Sequence, residues 1–544
     1  MVQVILAGTN VPIRIRHELE GLIGYLRSSP EHNTEKLEHA RLKLEELINQ
    51  FTPEVICAAY ARISRSKKNV DELLEEALKD IPRARKSNEA IIFGMGHHSV
   101  ADHAIFNFNI RGASRLLIEE IEKRRIGAGY TEKSQRYVTF KGDFVKPREY
   151  SDQDLRRFEE LVKQQNEFYH KTNKRLSEHL KRKFAGKIRK LSDEEAKEFV
   201  KQLEGRAKED ARYALSLATK TQLGCSYTGQ TLELAIRRGR HGRLQEEAEW
   251  FKQLFEQARI YAPSLIQLAD PELFRHHNPG QELKDDYFKY AEQDLRRLVE
   301  ETFRNNHRAL DYYKQINRDE FITPPDYKYV TRVKSDHADT NIIAALLYEY
   351  SKEDLEDSYA LARLLIKEGE AEDFMKKALK HLSEHDKVPR AFEMSSGLIY
   401  GAIISATCFA QLKRHRMMTL LSQDYDPGLG FTTPQNIEEI GADKELRRVI
   451  NNSSELYYEF LPRYGKAAEY CLTNAHRRRV LISINMRELY HVSRLREDEH
   501  AQWEIRTLVK NISRLEKEQS PISTMLLGGK HEFQKIHNNA YSEK

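Results

Sequence analysis

Residues 94–140, GMGHHSVADHAIFNFNIRGASRLLIEEIEKRRIGAGYTEKSQRYVTF, change backbone period several times within a short span, and that restricts the fold. A turn with His97 and His98 leads into an alternation of Ala104, Phe106, Phe108 and Ile110. Period two predicts a half-buried strand, which Gly112 is expected to break. Leu116, Leu117, Ile118 and Ile121 then predict a helix with a buried stripe, leaving Glu119, Glu120 and Glu122 outside. Lys123-Arg124-Arg125 place cations where a helix C-terminus favours them. Gly127 and Gly129 free the chain to turn before Glu132, Ser134 and Arg136.

A His-rich turn ending in His103, a strand, a helix, and a basic triplet followed by Ser134-Gln135-Arg136-Tyr137 resemble the flavin-dependent thymidylate synthases. The family's triplet is Arg-His-Arg, which here reads Lys123-Arg124-Arg125. Arg414-His415-Arg416 supplies it later, after a helical apolar segment containing Ile403, Ile404, Ala406, Phe409 and Leu412. Asn485-Met486-Arg487 and Leu495-Arg496 resemble the family's Asn-x-Arg segment and its downstream Leu-Arg. On a helix, Asn485 and Arg496 would share one face about 16 Å apart at ~1.5 Å per residue.

The chain therefore reads as two copies of one domain. The expected units are 1–300, with a core near 53–265, and 301–544, with a core near 335–515. Residues 211–234 set against 468–491 without a gap match Ala211 with Ala468, Tyr213 with Tyr470, Leu215 with Leu472, Ala218 with Ala475 and Leu232 with Leu489. Small and apolar matches predict a shared buried helix face. The functional positions have diverged. Thr228, Gln230 and Gly239 stand where the second copy has Asn485, Arg487 and Arg496, unless Arg240 replaces the last, while Glu469 stands where the first copy has Arg212.

At 544 residues the chain has room for two or three domains, and 40% hydrophobic content suffices for a core in each. Its net charge of +5 is too small by itself to imply nucleic acid or a membrane. Cys57, Cys225, Cys408 and Cys471 show no CxxC spacing, so neither a zinc site nor a disulfide framework is expected. No metal is expected at His276-His277 either, since no Cys or acidic partner stands at ligand spacing. The N-terminus lacks a long apolar leader and no later window approaches a membrane span, so a cytoplasmic location is expected. Residues 152–202 predict a solvated helical hairpin and residues 210–236 a further helix.

The resemblance implies an α+β fold, predominantly helical, with two copies of the flavin-dependent thymidylate synthase fold. It implies methyl transfer to dUMP giving dTMP, with FAD as cofactor and NADPH and methylenetetrahydrofolate as co-substrates. Ser99, Arg414, His415, Arg416, Asn485, Arg487 and His491 would hold the cofactor. Glu132, Ser134, Gln135, Arg136, Arg212 and Gln411 would bind the substrate, and Arg496 would be catalytic, polarising the pyrimidine. Each half keeps what the other lacks, so the nucleotide site is expected to be shared between halves, in a homodimer forming a pseudo-tetramer. Two alternatives of other classes remain. One is a catalytically inactive flavin- or nucleotide-binding paralogue with a structural or regulatory role. The other is a nucleic-acid-binding helical protein using residues 476–479, residues 237–243 and Arg124-Arg125.

Overall fold

The computed structural model describes residues 2–542 apart from 12, 28–33, 136–137, 284–285, 307–317, 335–336, 385 and 396. Two compact units emerge. The first comprises Met1–Glu160, Leu217–Thr302 and Glu459–Tyr470; the second comprises Leu161–Ser216, Phe303–Tyr458 and Cys471–Lys544. Each contains a segment from the other half of the sequence. The described residues are mostly helical with small antiparallel sheets, an α+β architecture.

In the first unit β1 (Gln3–Thr9), β2 (Ile105–Ser114), β3 (Ala128–Glu132) and β4 (Lys220–Thr228) form an antiparallel sheet in the order β1-β2-β4-β3. The alternation that predicted a strand lies in β2, where Phe106, Phe108 and Ile110 are buried and Asn107 and Asn109 face outward. Gly112 does not end the strand. Its φ of 72° accommodates a bulge, and the β2–β4 register breaks between Arg111 and Ala113 before pairing resumes. Ser114 then caps helix Arg115–Ile121, its Oγ accepting from Leu117 N at 2.9 Å. Glu119 and Glu122, expected outside, are buried, because helix Gln245–Tyr261 packs against this short helix.

Residues 210–236 are not one helix. Helix Asp193–Ala211 ends in the turn Arg212–Ala214, after which come β4 and helix Gly229–Gly239. Thr221, Leu223, Cys225 and Tyr227 are buried in alternation with Gln222, Gly224 and Ser226, so the period is two. The ungapped match with residues 468–491 thus spans a turn, a strand and a helix. The hairpin at 152–202 is also less solvated than its charge suggests. Helix Asp152–Lys183 buries Phe158, Val162, Tyr169, Leu176 and Leu180, an apolar stripe at helical spacing.

In the second unit β5 (Phe321–Ile322), β6 (Val330–Val333), β7 (Leu398–Ser405), β8 (Thr419–Ser422) and β9 (Arg477–Ile484) order as β5-β6-β7-β9-β8, again antiparallel. β7 pairs β9 from Leu398↔Ile484 to Ser405↔Arg477 without the break seen in β2. Ser405 caps helix Ala406–Leu412 as Ser114 caps its counterpart. Helix Ala338–Glu349 packs on the turn Arg390–Met394, as helix Glu54–Arg62 packs on His98–His103. A helix packed on a turn, then a strand and a Ser-capped helix, therefore follow each other in the same order in both units. Inside the second core, Arg332 and Glu516 form a buried ion pair at 2.8 Å, and Tyr400 Oη also donates to Glu516, at 2.6 Å. Burying two charges requires such pairing.

The basic stretch at residues 476–479 lies at and within β9. Arg478 is buried, its guanidinium 4.6 Å from the Phe409 ring and 4.1 Å from the Tyr425 ring, so it serves packing and not an open basic surface. All four cysteines are buried, and none is in a disulfide. No described helix is long and apolar enough to cross a membrane.

Candidate active site

Helix Met486–Arg496 and its N-cap Asn485 carry half of the expected cofactor and catalytic positions, and the local chemistry explains why the helix starts and ends there. Asn485 is the N-cap, its Oδ1 accepting from Glu488 N at 2.9 Å. Arg487 reaches back to the turn at 390–394, with Nη1 2.8 Å from Glu393 Oε1, and its Nε donates to Val388 O at 3.0 Å. At the far end, Arg496 Nε donates to Nε2 of His415 at 2.8 Å. The expected eleven-residue reach from Asn485 to Arg496 is thus used by a cap at one end and a histidine contact at the other.

His415 is buried just beyond helix Ala406–Leu412, with Arg414 and Arg416 exposed on either side. Burial first, and then Arg496 and His491, push its imidazole down to about 3. It is therefore neutral at physiological pH, accepting at Nε2 and carrying its proton on Nδ1. That nitrogen is 3.9 Å from Glu488 Oε1. Burial raises the Glu488 carboxyl to about 7, while Lys387 and Arg487 act in the opposite direction. The His491 ring lies 5.9 Å from that of His415 at 74°, and His491 is lowered by burial, Lys387 and Arg496.

Ligand atoms of His415, Glu488 and His491 all come within 4.8 Å of one another, so by residue type and reach these three could hold a metal ion. Lys387, Arg487 and Arg496 surround them with positive charge, which favours an anion. Glu488 was not singled out in the sequence. Its signal was the Glu-x-x-His spacing, which puts Glu488 and His491 on neighbouring turns of one helix face.

Gln411 sits on the neighbouring helix and joins a chain of polar contacts. Its Nε2 donates to Gln502 Oε1 at 3.4 Å, and Gln502 Nε2 donates to Tyr213 Oη at 2.9 Å. Tyr213 Oη in turn donates to Glu504 Oε2 at 2.6 Å, where Ser405 Oγ also donates at 2.5 Å. Tyr213 and the buried Arg212 come from the first half of the sequence but belong to this second unit. Burial keeps the Asp210 carboxyl up at about 6; Asn436 and Trp503 donate to it.

The remaining expected residues lie in the first unit. Ser99 is exposed on the turn His98–His103. Glu132 is engaged by Arg115 Nη1, at 2.9 and 2.8 Å to its two oxygens, and both side chains are buried. Ser134 is half-buried, Gln135 is buried, and Arg136 lies outside the described residues. In the second unit the register gives Ser422 the place of Glu132, because Glu132 pairs Leu223 and Ser422 pairs Val480 on corresponding strands. Acidic Asp424 and Asp426 then follow Ser422.

Matching the capped helices places Arg124 opposite His415 and Gly239 opposite Arg496. A Cβ at Gly239 would overlap the buried Phe251 ring, so this position has no room for a longer side chain. The next residue, Arg240, is engaged locally, its guanidinium donating to Ala269 O at 3.0 Å and to Asp270 Oδ2 at 2.9 Å. An arginine at this position thus occurs at Arg496 of the second unit and is replaced by Gly239 in the first.

Residues 46–264 and 331–522 match the family described as thymidylate synthase complementing protein. A UPF0159 protein from Thermoplasma acidophilum is 23% identical over 446 residues, 77% of this chain and 83% of its own. A UPF0159 protein from Chlamydia muridarum is 23% identical over 488 residues, 85% of this chain and 88% of its own. A flavin-dependent thymidylate synthase from Geobacter sulfurreducens is 37% identical over 102 residues, 19% of this chain and 42% of that enzyme.

Proposed function

The chain belongs to the flavin-dependent thymidylate synthase family, and on that premise we propose that it converts dUMP to dTMP as a tandem duplication of the family domain. Methylenetetrahydrofolate donates the carbon. FAD is held by Ser99, Arg414, His415, Arg416, Asn485, Arg487 and His491, and NADPH keeps it reduced. Bound flavin supplies the hydride that turns the transferred methylene into a methyl group. The proposed sequence units are 1–300 and 301–544, acting in the cytoplasm as a homodimer with pseudo-tetrameric packing.

The observation that carries this reading is the neutral His415 held on Arg496, with Lys387, Arg487 and the exposed Arg414 and Arg416 nearby. Fixed cations beside an uncharged donor suit a diphosphate and an electron-rich ring. Arg496, turned from the imidazole to the uracil edge, would favour the ionised pyrimidine. Arg212 and Gln411 bind the nucleotide with Glu132, Ser134, Gln135 and Arg136, and so both halves of the sequence contribute.

The test is purification followed by incubation with FAD, a reduced nicotinamide, methylenetetrahydrofolate and dUMP. A yellow protein that releases tritium from labelled dUMP and forms dTMP supports the proposal, whereas a chain that stays colourless with FAD sinks it. Two observations favour the inactive paralogue as a second reading: Glu132 is already neutralised by Arg115, and acidic residues follow Ser422 in the second copy. Retained flavin without turnover identifies that case.

A further inference from the structure

Away from these residues, the first unit carries a groove of about 550 Å³ lined by Arg62, Arg65, Lys68, Arg83 and Lys86. The cations come from separate local structures. Arg62 ends helix Glu54–Arg62, and Arg65 ends the turn Ile63–Arg65. Lys68 precedes helix Val70–Lys79, which Asn69 and Glu72 close with reciprocal hydrogen bonds. Arg83 and Lys86 stand three apart on helix Ile81–Asn88, which Asp80 caps. Neighbouring like charges at that spacing destabilise a helix. Among the described residues neither Arg83 nor Lys86 is in an ion pair, although Arg83 lies close enough to act on the Glu76 carboxyl.

Among the described residues Glu76 is the one acid lining the groove, and it pairs with Lys68. Arg62 and Arg83 also bear on its carboxyl, which the three cations hold below its usual range. The positive charges thus converge on one point and are only partly balanced there. Ser66 and Ser87 add hydroxyls. Ser66 Oγ accepts from Lys68 N at 3.1 Å and Ser87 Oγ accepts from Arg62 Nε at 3.3 Å, which leaves each its own proton to donate. Cations in excess plus hydroxyl donors are the equipment for phosphate oxygens. Among the described residues no aromatic side chain lines the groove on which a nucleobase could stack.

We propose that this groove binds the phosphate chain of a small oligophosphate-bearing molecule, at a site separate from the proposed flavin and dUMP residues, with Glu76 occupying the phosphate position until the ligand displaces it. Two substitutions should act in opposite directions. Glu76→Gln removes the competing carboxylate and should tighten binding of inorganic tripolyphosphate at least tenfold by calorimetry on the full chain. Arg83→Glu combined with Lys86→Glu should weaken it at least tenfold, with circular dichroism unchanged. Orthophosphate should bind more weakly than tripolyphosphate. A single-stranded oligonucleotide should bind no tighter than tripolyphosphate, whatever its length. Absent tripolyphosphate binding, binding indifferent to both sets of variants, or oligonucleotide affinity that climbs with length would each overturn the proposal.

Discussion

Arg496 and His415 are joined end to ring, the guanidinium Nε donating to the imidazole Nε2 at 2.8 Å across 81 residues of sequence. The bond fixes the tautomer and adds to the burial that keeps the ring uncharged. Arg496→Ala should raise the His415 pKa from about 3, yet leave it below 6.5, because burial is the larger cause. NMR titration of the ring checks this, and a pKa that stays put or falls in the variant contradicts the arrangement.

Glu488 and His415 predict opposed pH dependences. Glu488 is raised from 4.5 to about 7, so across that window the folded chain keeps a proton the unfolded chain has released. Its contribution to stability therefore falls as pH rises through the window, and the loss persists above it. His415 is lowered from 6.5 to about 3, so the unfolded chain takes a proton that the folded chain refuses. Its contribution falls as pH drops from 6.5 toward 3. Glu488→Gln should stabilise the protein by on the order of 1–2 kcal/mol near pH ~8, allowing for partial solvation, and by little near pH ~4. Denaturant unfolding at both pH values decides it; an equal gain at each would show that the carboxyl does not titrate as described.

Tyr213 and Tyr470 occupy matching positions and do the same work. Tyr213 Oη donates to Glu504 at 2.6 Å and Tyr470 Oη to Glu246 at 2.7 Å. Ser405 and Ser114 complete the pattern from the caps of matching helices, with Oγ 2.5 Å from Glu504 and 2.6 Å from Glu246. Each Phe substitution removes one donor from a carboxylate away from bulk water. Tyr213→Phe and Tyr470→Phe should each cost about 1–3 kcal/mol. Unfolding free energies from urea titration that change by less than ~0.5 kcal/mol in both would mean that other donors suffice.

Flavin retention separates Arg416 from Arg487. Arg416 is exposed, so Arg416→Ala should lower FAD affinity at least tenfold with no change in unfolding midpoint. Arg487 also ties its helix to Glu393 and Val388, so Arg487→Ala should lose flavin and about 1–2 kcal/mol of stability. Visible absorbance after gel filtration, alongside denaturant unfolding, reads both effects. Undiminished flavin in both variants would remove these arginines from the cofactor site.

Light scattering on the full chain addresses assembly. A dimer is expected at micromolar concentration, and a monomer there would count against the proposed pseudo-tetramer.

Local order was legible in the sequence wherever one face of an element meets the core. The alternation through Phe106, Phe108 and Ile110 announced β2. The ungapped match between 211–234 and 468–491 held its register because the buried positions of a turn, a strand and a helix must be kept together. Its reading as one helix failed because small apolar residues suit either period, and Thr221-Leu223-Cys225-Tyr227 is settled as a strand only by pairing with β2 and β3.

Tertiary structure alone decided which charges are spent. A sequence reports Glu132, Arg487 and Arg496 as polar residues at family-like positions. Only folding sets Glu132 against Arg115, Arg487 against Glu393 and Arg496 against His415. It also carries Leu161–Ser216 into the second unit and Glu459–Tyr470 into the first, so that Tyr213 meets Glu504 across 291 residues and Tyr470 meets Glu246 across 224. Periodicity reports which face of an element is buried. The partner on the other side of that face comes from a distant part of the chain, and its identity is fixed by packing and by the need to satisfy every buried charge.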